Sequence, residues 1–75
     1  MKNVLLFLAD GFEEIEALAT VDVLRRAGVQ VTTVSINPTE VVTGAHGIPV
    51  MADVVYELAE FVEADMLVLP GGMPG

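Results

Sequence analysis

The chain has 75 residues, half or less of a usual domain, and no cysteine, which excludes a disulfide framework, a thiolate metal site and a cysteine nucleophile among these residues. Its net charge is −8, with 11 acids against Lys2, Arg25 and Arg26, so no basic surface is available for nucleic acid or for an anionic membrane. A hydrophobic content of 53% excludes disorder, and no apolar run is long enough to span a membrane. Acids follow the first apolar run directly, unlike in a signal peptide, so we expect a soluble cytoplasmic protein.

Three elements are predicted in the first half of the chain. The continuous apolar run at 3–9 indicates a strand covered on both faces, as in a parallel sheet. Residues 13–27 predict a helix, because acids occupy the first turn, Arg25 and Arg26 the last turn, and Gly28 follows. Residues 29–36 alternate and are rich in β-branched side chains, which favours a second strand.

The second half predicts shorter elements. Residues 41–50 indicate two strand pieces around a glycine-containing loop, a hairpin in which Pro49 confines its strand to an edge. Residues 53–62 are weakly helical in pattern, and 65–69 form another short strand that ends at Pro70-Gly71-Gly72.

This order of elements predicts the start of a doubly wound parallel α/β sheet with a β-hairpin excursion. A buried strand followed by a glycine-rich turn normally leads into a crossover helix, and without that helix one sheet face would stay open. We therefore expect residues 1–75 to be the N-terminal part of one larger domain. The remainder would be truncated, cleaved or carried by another chain.

Two loops are candidates for chemistry, because ligands bind beyond the carboxyl ends of parallel strands. These are residues 10–16 and 70–75, which we expect on one rim. The first loop lacks the GxGxxG spacing, and its acids would repel a pyrophosphate, so we do not expect nucleotide binding at this loop.

The three glutamates at the helix start are expected to stabilise the helix dipole, a role that suffices for Glu13 and Glu14. Glu16 falls on the boundary between two helix faces, where partial burial would let its carboxyl hold a proton and act as an acid or hydrogen-bond donor. Dipole stabilisation stays the alternative for Glu16 as well.

Gly71-Gly72 permits close approach of a substrate to backbone N–H groups, as in half of an oxyanion hole, or is simply a tight turn. His46, between Gly44 and Gly47, is predicted to be a surface or contact residue because no acid adjoins it in sequence. Asp10 and the glutamates are only a weak candidate for a hard-cation site, so we predict neither a metal nor a cofactor.

Two segments, FLADGFEEIEALATVDVLRRAGVQVT and DMLVLPGGMPG, resemble the ThiJ/PfpI superfamily, specifically its DJ-1 branch. The resemblance covers essentially the whole chain and the first part of a family domain. It implies a flavodoxin-like three-layer αβα sandwich, usually dimeric, with a nucleophilic cysteine that lies beyond residue 75 here. Glu16 matches the protonated glutamate that bonds this cysteine, and Gly72 matches the glycine whose N–H faces it. Asp10, Gly11 and Gly71 would then lie at the rim of the site.

The resemblance implies glyoxalase or deglycase activity on a small carbonyl or glycated substrate, or else redox sensing, chaperone-like behaviour or a peptidase-like hydrolysis. The 75-residue chain alone is expected to be inactive. Two alternatives stay open: a receiver-like signalling domain, although Pro70 and Gly71 occupy the phosphoacceptor position, and a non-catalytic chaperone or assembly module.

The predicted helix has two apolar faces. One face would cover the sheet and comprises Ala17, Val21, Leu24 and Ala27. The other would need a second partner, which we expect to be another copy of the protein, and it comprises Ile15, Leu18, Ala19, Asp22 and Arg26. The resemblance adds the hairpin around His46 (residues 43–50) to this dimer interface. Alternatively, the rest of the same chain covers this face of the helix.

Overall fold

The computed structural model describes residues 2–59 and 64–71. In chain order the strands are β1 Asn3–Leu8, β2 Gln30–Ser35, β3 Val41–Thr43, β4 Pro49–Met51, β5 Val54–Val55 and β6 Met66–Val68. The helix α1 runs over Glu14–Arg26, and a short 3-10 turn runs over Tyr56–Leu58. Within these residues no helix is long and apolar enough to cross a membrane.

Four strands form one parallel sheet in the order β5-β2-β1-β6. β1 pairs along its whole length with β2, and residues Val4–Leu6 pair with Met66–Val68 of β6. The connection from β1 through α1 to β2 is the predicted βαβ crossover, and the parallel α/β architecture is confirmed. Because all four strands run the same way, the loops after the neighbouring strands β1 and β6 emerge side by side at one edge of the sheet.

The core lies between α1 and one face of this sheet. Alternate residues of β1, Val4, Leu6 and Leu8, are buried there against Ala17 and Val21 of the helix. Leu6 and Leu8 are fully buried, and each such side chain contributes roughly 1.5–3 kcal/mol relative to exposure. The predicted sheet-facing stripe is therefore correct for Ala17, Val21 and the partly buried Leu24.

Ala27 departs from the predicted helix face. The helix ends at Arg26, and Ala27 is its exposed C-cap residue, whose N–H bonds back to carbonyl groups of the last turn. Gly28 then adopts a φ of 86°, in the left-handed region that lets the chain turn sharply into β2.

The predicted hairpin is present as an antiparallel pair, β3 with β4, in which Thr43 lies opposite Pro49 and Val42 opposite Val50. It forms a separate two-stranded sheet, and Val42 is fully buried against the main core. The hairpin is docked on the loop after β1: Gly11 N–H donates to Thr43 O at 2.8 Å, and Ala45 N–H donates to Phe12 O at 2.8 Å.

The helix predicted over residues 53–62 is wrong where the structure describes the segment. Val54 and Val55 form β5, paired with Val34 and Ser35, and only a 3-10 turn follows, while residues 60–63 lie outside the described residues. Asp53 fixes this arrangement, because its Oδ2 accepts hydrogen bonds from Thr33 N–H at 2.9 Å and from Arg25 at 3.0 Å. Two consecutive β-branched side chains also favour a strand.

Candidate functional site

The loops after β1 and β6 meet at the first turn of α1. Glu13 N–H donates to Gly71 O at 3.0 Å, and Gly71 N–H donates to Glu16 Oε1 at 3.1 Å. Gly71 is thus held at both its carbonyl and its amide group by residues three positions apart on one helical turn. The two loops that the sequence singles out therefore share one rim, and Gly72 lies outside the described residues.

Close approach explains why glycine occupies position 71. A Cβ atom there would lie 2.6 Å from Glu16 Oε1. With a larger residue the Glu16 carboxyl would have to move away from the backbone amide. The geometry thus couples the residue type at position 71 to the position of the Glu16 side chain.

Glu16 is exposed in the described part of the chain, whereas the sequence predicts partial burial. Its side chain reaches over the open rim to Gly71 and does not turn toward the sheet. The hydrogen bond from Gly71 N–H to Oε1 therefore places the Glu16 carboxyl group at the rim.

Asp10 and Gly11 anchor the hairpin to the rim. Asp10 Oδ1 accepts hydrogen bonds from Thr43 N–H at 3.1 Å and from Asn37 Nδ2 at 3.0 Å, and these two bonds lower the pKa of Asp10. Gly11 adopts a φ of 91°, where a side chain would be strained. Asp10 is therefore occupied as a hydrogen-bond acceptor for the neighbouring loops.

Glu14 and His46 form a contact that the local sequence does not indicate, since Glu14 has no evident role beyond the helix dipole and no acid adjoins His46 in sequence. Glu14 is only 5% exposed. Its Oε2 accepts from His46 N–H at 2.8 Å, and its Oε1 lies 2.8 Å from His46 Nδ1. The separation of 32 residues hides the pair from local sequence patterns.

One signal in the sequence does point to the burial of Glu14. It lies three and seven residues before Ala17 and Val21, and so belongs to the same helical stripe that packs on the sheet. A carboxylate placed on a buried stripe requires partners. The hairpin loop supplies them.

The contact changes the electrostatics of both groups. The hydrogen bond with His46 is the main cause that lowers the pKa of Glu14 to about 2, and the backbone donors of the helix start and of the hairpin add to it. The Glu14 hydrogen bond and charge, with a contribution from Glu13, raise the pKa of His46. Near pH 6 the two side chains therefore form an ion pair.

Glu13, Glu14 and His46 also have ligand atoms within 4.8 Å of one another, an arrangement of a type that divalent cations accept. Asp10 is not part of this group. Both Glu14 oxygens already accept hydrogen bonds from the hairpin, and His46 Nδ1 faces one of them. The group is accordingly an internal ion pair, and we assign no metal to it.

The residues predicted for a dimer interface lie exposed on the outer side of α1 and on the hairpin. Ile15 is 81% exposed and Leu18 is 40% exposed. Asp22 and Arg26 form an exposed i,i+4 ion pair at 3.0 Å. His46 is also largely exposed apart from its contact with Glu14.

Comparison with known proteins identifies the family of this chain. The model of the DJ-1/PfpI family matches residues 2–75. Protein DJ-1 homolog A of Arabidopsis thaliana is 42% identical over 99% of this chain, which covers 19% of that protein, and a deglycase of Thermococcus kodakarensis is 36% identical over 93% of the chain and 42% of its own length.

A solved structure agrees closely with the fold. Oxidized DJ-1 of Toxoplasma gondii superimposes with a TM-score of 0.94 at 41% identity, and the match covers 100% of this chain and 41% of that one. The chain thus spans less than half the length of each of these three proteins. The family match, the sequence identities and the common fold agree: the chain belongs to the DJ-1/PfpI family.

Proposed function

We propose that this chain supplies the glutamate side of a cysteine-dependent active site, and that the complete protein acts on small carbonyl compounds or glycated groups. The observation that carries the proposal is the 3.1 Å contact of Glu16 Oε1 with Gly71 N–H at the carboxyl edge of the parallel sheet. The similarity to a protein named a deglycase supports the choice of chemistry. The receiver-like alternative loses its basis, because β6 is followed by Pro70 and Gly71 and the family is a different one.

The proposed reaction begins with addition of a thiolate to a carbonyl carbon. A C–S bond forms, the π electrons of the C=O bond move to its oxygen, and that oxygen takes a proton. The cysteine belongs to the part of the protein beyond residue 75, as the resemblance implies. In its protonated form Glu16 supplies the proton through Oε2, while Gly71 N–H fixes the orientation of the carboxyl group through Oε1.

Two variants of the complete protein test the role of Glu16. Glu16→Ala removes the proton donor and should lower kcat/KM for glyoxal by roughly 10²–10⁴-fold, the range typical of general acid–base catalysis. Glu16→Gln keeps a hydrogen-bond donor and should preserve much of the oxidation sensitivity of the thiol while losing the proton transfer. Glu57→Gln, on the exposed 3-10 turn, is the matched control for loss of one negative charge. Wild-type activity in Glu16→Ala would remove Glu16 from the mechanism.

The 75-residue chain alone should show no glyoxalase activity, because it contains no cysteine. The assay is run on this chain and on the complete protein at equal molar concentrations. Turnover by the short chain would contradict the proposal. Activity from neither, with holdase activity from the complete protein, would favour the chaperone alternative.

We also propose that a second copy of the protein, located in the cytoplasm, covers the outer face of α1. The support is an exposed apolar group at Ile15 and Leu18, flanked by the Asp22–Arg26 ion pair, which is the composition of a subunit contact. Ile15→Glu in the complete protein should convert the dimer to a monomer in equilibrium sedimentation. Val23→Glu is the control, because Val23 is 61% exposed but lies about 80° away around the helix. A folded, dimeric Ile15→Glu protein would exclude this face as the interface.

A further inference from the structure

Glu14 is a buried charged side chain that the proposed chemistry does not use. Burial of a carboxylate is costly unless hydrogen-bond donors surround it. Here His46 donates its backbone N–H at 2.8 Å, its ring contacts Oε1 at 2.8 Å, and Ile48 N–H approaches Oε2 at 3.4 Å. Among the described residues, no buried side-chain oxygen or nitrogen lacks a partner.

The hairpin backbone lies directly against this carboxylate. A Cβ atom built on Gly44 would overlap the Glu14 carboxyl group, so position 44 has room only for glycine while Glu14 keeps its place. Gly44 and His46 therefore enclose Glu14 from two sides. The backbone of loop 44–48 thus packs around the Glu14 carboxylate.

The same helical turn also holds the rim of the proposed active site. Glu13 N–H and Glu16 Oε1 bond the carbonyl and amide groups of Gly71. The turn itself is closed by the bond from Ala17 N–H to Glu13 O at 2.9 Å. It is therefore a short rigid link with the hairpin on one side and Gly71 on the other.

We propose that Glu14 is a positioning residue for the proposed active site: by fixing loop 44–48 to the first turn of α1, its carboxylate holds Glu16 in register with the Gly71 amide. The significance of this role for catalysis rests on the proposed function, whereas the role itself concerns contacts within this chain. The hairpin has other attachments, from Ala45 N–H to Phe12 O and from Gly11 N–H to Thr43 O. Loss of the Glu14 charge should therefore loosen the rim without detaching the hairpin.

Glu14→Gln in the complete protein tests this role. The glutamine has nearly the same shape but no charge, so the hydrogen bonds from the His46 and Ile48 N–H groups to a carboxylate become bonds to a neutral amide oxygen. We expect amide hydrogen exchange at His46 and Gly71 to become about tenfold faster, since a hydrogen bond to a charged group is lost. We also expect kcat/KM for glyoxal to fall about tenfold, mostly in kcat.

Glu57→Gln is the matched control, because it removes an equal charge on the exposed 3-10 turn and leaves the Glu14 contacts in place. It should change neither the Gly71 exchange rate nor kcat by more than about twofold. Glu14→Asp keeps the charge and shortens the side chain, and it should give intermediate values. It also serves as the measured variant if Glu14→Gln fails to fold.

A Gly71 amide that exchanges at the wild-type rate in a folded Glu14→Gln or Glu14→Asp protein would overturn the positioning role. Equal acceleration in Glu57→Gln would overturn it too, because charge alone would then account for the effect. The proposed function fails separately, through full activity in Glu16→Ala. In that case the exchange at Gly71 still decides the role of Glu14.

Discussion

Two carboxylates on one helical turn are used in opposite ways. Glu14 is buried and accepts hydrogen bonds from the backbone and ring of His46, whereas Glu16 is exposed and its side chain accepts one hydrogen bond, from Gly71, in the described part of the chain. Two positions along a helix turn a side chain by about 200°, so one carboxylate faces the hairpin and the other faces the rim. The donors on both oxygens of Glu14 tie it to the fold, whereas the exposed Glu16 carboxyl group lies at the edge where the parallel strands end.

Glycine-to-alanine substitutions at Gly44 and Gly71, which contact Glu14 and Glu16, should show the difference between the two carboxylates most clearly. Gly44→Ala drives a methyl group into the locked Glu14 carboxylate and should destabilise the complete protein by roughly 1–3 kcal/mol, as overpacking does. The Cβ atom of Gly71→Ala would lie closest to Glu16 Oε1, at the end of an exposed side chain that can move away. The stability of this variant should change by less than about 1 kcal/mol, because reduced freedom of the unfolded chain offsets the displacement.

Urea denaturation midpoints and glyoxalase rates measure the two effects in the same samples. The expected pattern is crossed: Gly44→Ala loses mainly stability, and Gly71→Ala loses mainly activity through the displaced Glu16. Equal losses of stability would show that the two carboxylates are equivalent supports of the fold, contrary to the comparison.

The sequence predicts the parts of this molecule that depend on local patterns. β1, α1 and β2 each carry a complete signal within a few residues: an apolar run, a charged and capped amphipathic segment, and β-branched alternation. β5 carries only two β-branched residues, too few for a complete local signal, and its strand depends on pairing with Val34 and Ser35. The short strand is a tertiary feature, and a local helical pattern was misleading there.

The candidate site also has one contact that the sequence predicts and one that it does not. The sequence places Glu16 and Gly71 on loops that the parallel topology must bring to one edge, and the structure joins them directly. The pair of Glu14 and His46 depends on how the hairpin folds back over the helix, 32 residues later, which no spacing rule reports. Only the position of Glu14 on the stripe of Ala17 and Val21 indicates that it needs a partner.

The pH dependence of stability offers a smaller but sharper test of the buried contact. His46 has its pKa raised above 6.5, so its contribution is fully present below pH 6.5 and is lost as the pH rises through the folded-state value. Glu14 has its pKa lowered from 4.5 to about 2, so its contribution is present above pH 4.5 and is lost as the pH falls toward 2. The contact should therefore stabilise the protein most between about pH 4.5 and 6.5.

The measurement compares the Tm of the wild-type complete protein with that of His46→Gln from pH 4 to 9. The Tm difference should be largest near pH 5–6 and should shrink toward pH 9, because the imidazole becomes neutral and leaves Glu14 with an uncharged partner. Among the described residues, Glu14 and to a smaller extent Glu13 raise the pKa of the ring, so Glu13→Gln should lower the midpoint of this change only slightly. Glu16→Gln should leave the profile unchanged, since the rim carboxylate does not contact the imidazole. A Tm difference that stays constant from pH 5 to pH 9 would mean that His46 acts through its backbone N–H alone. The ion pair would then not explain why Glu14 and Glu16 differ.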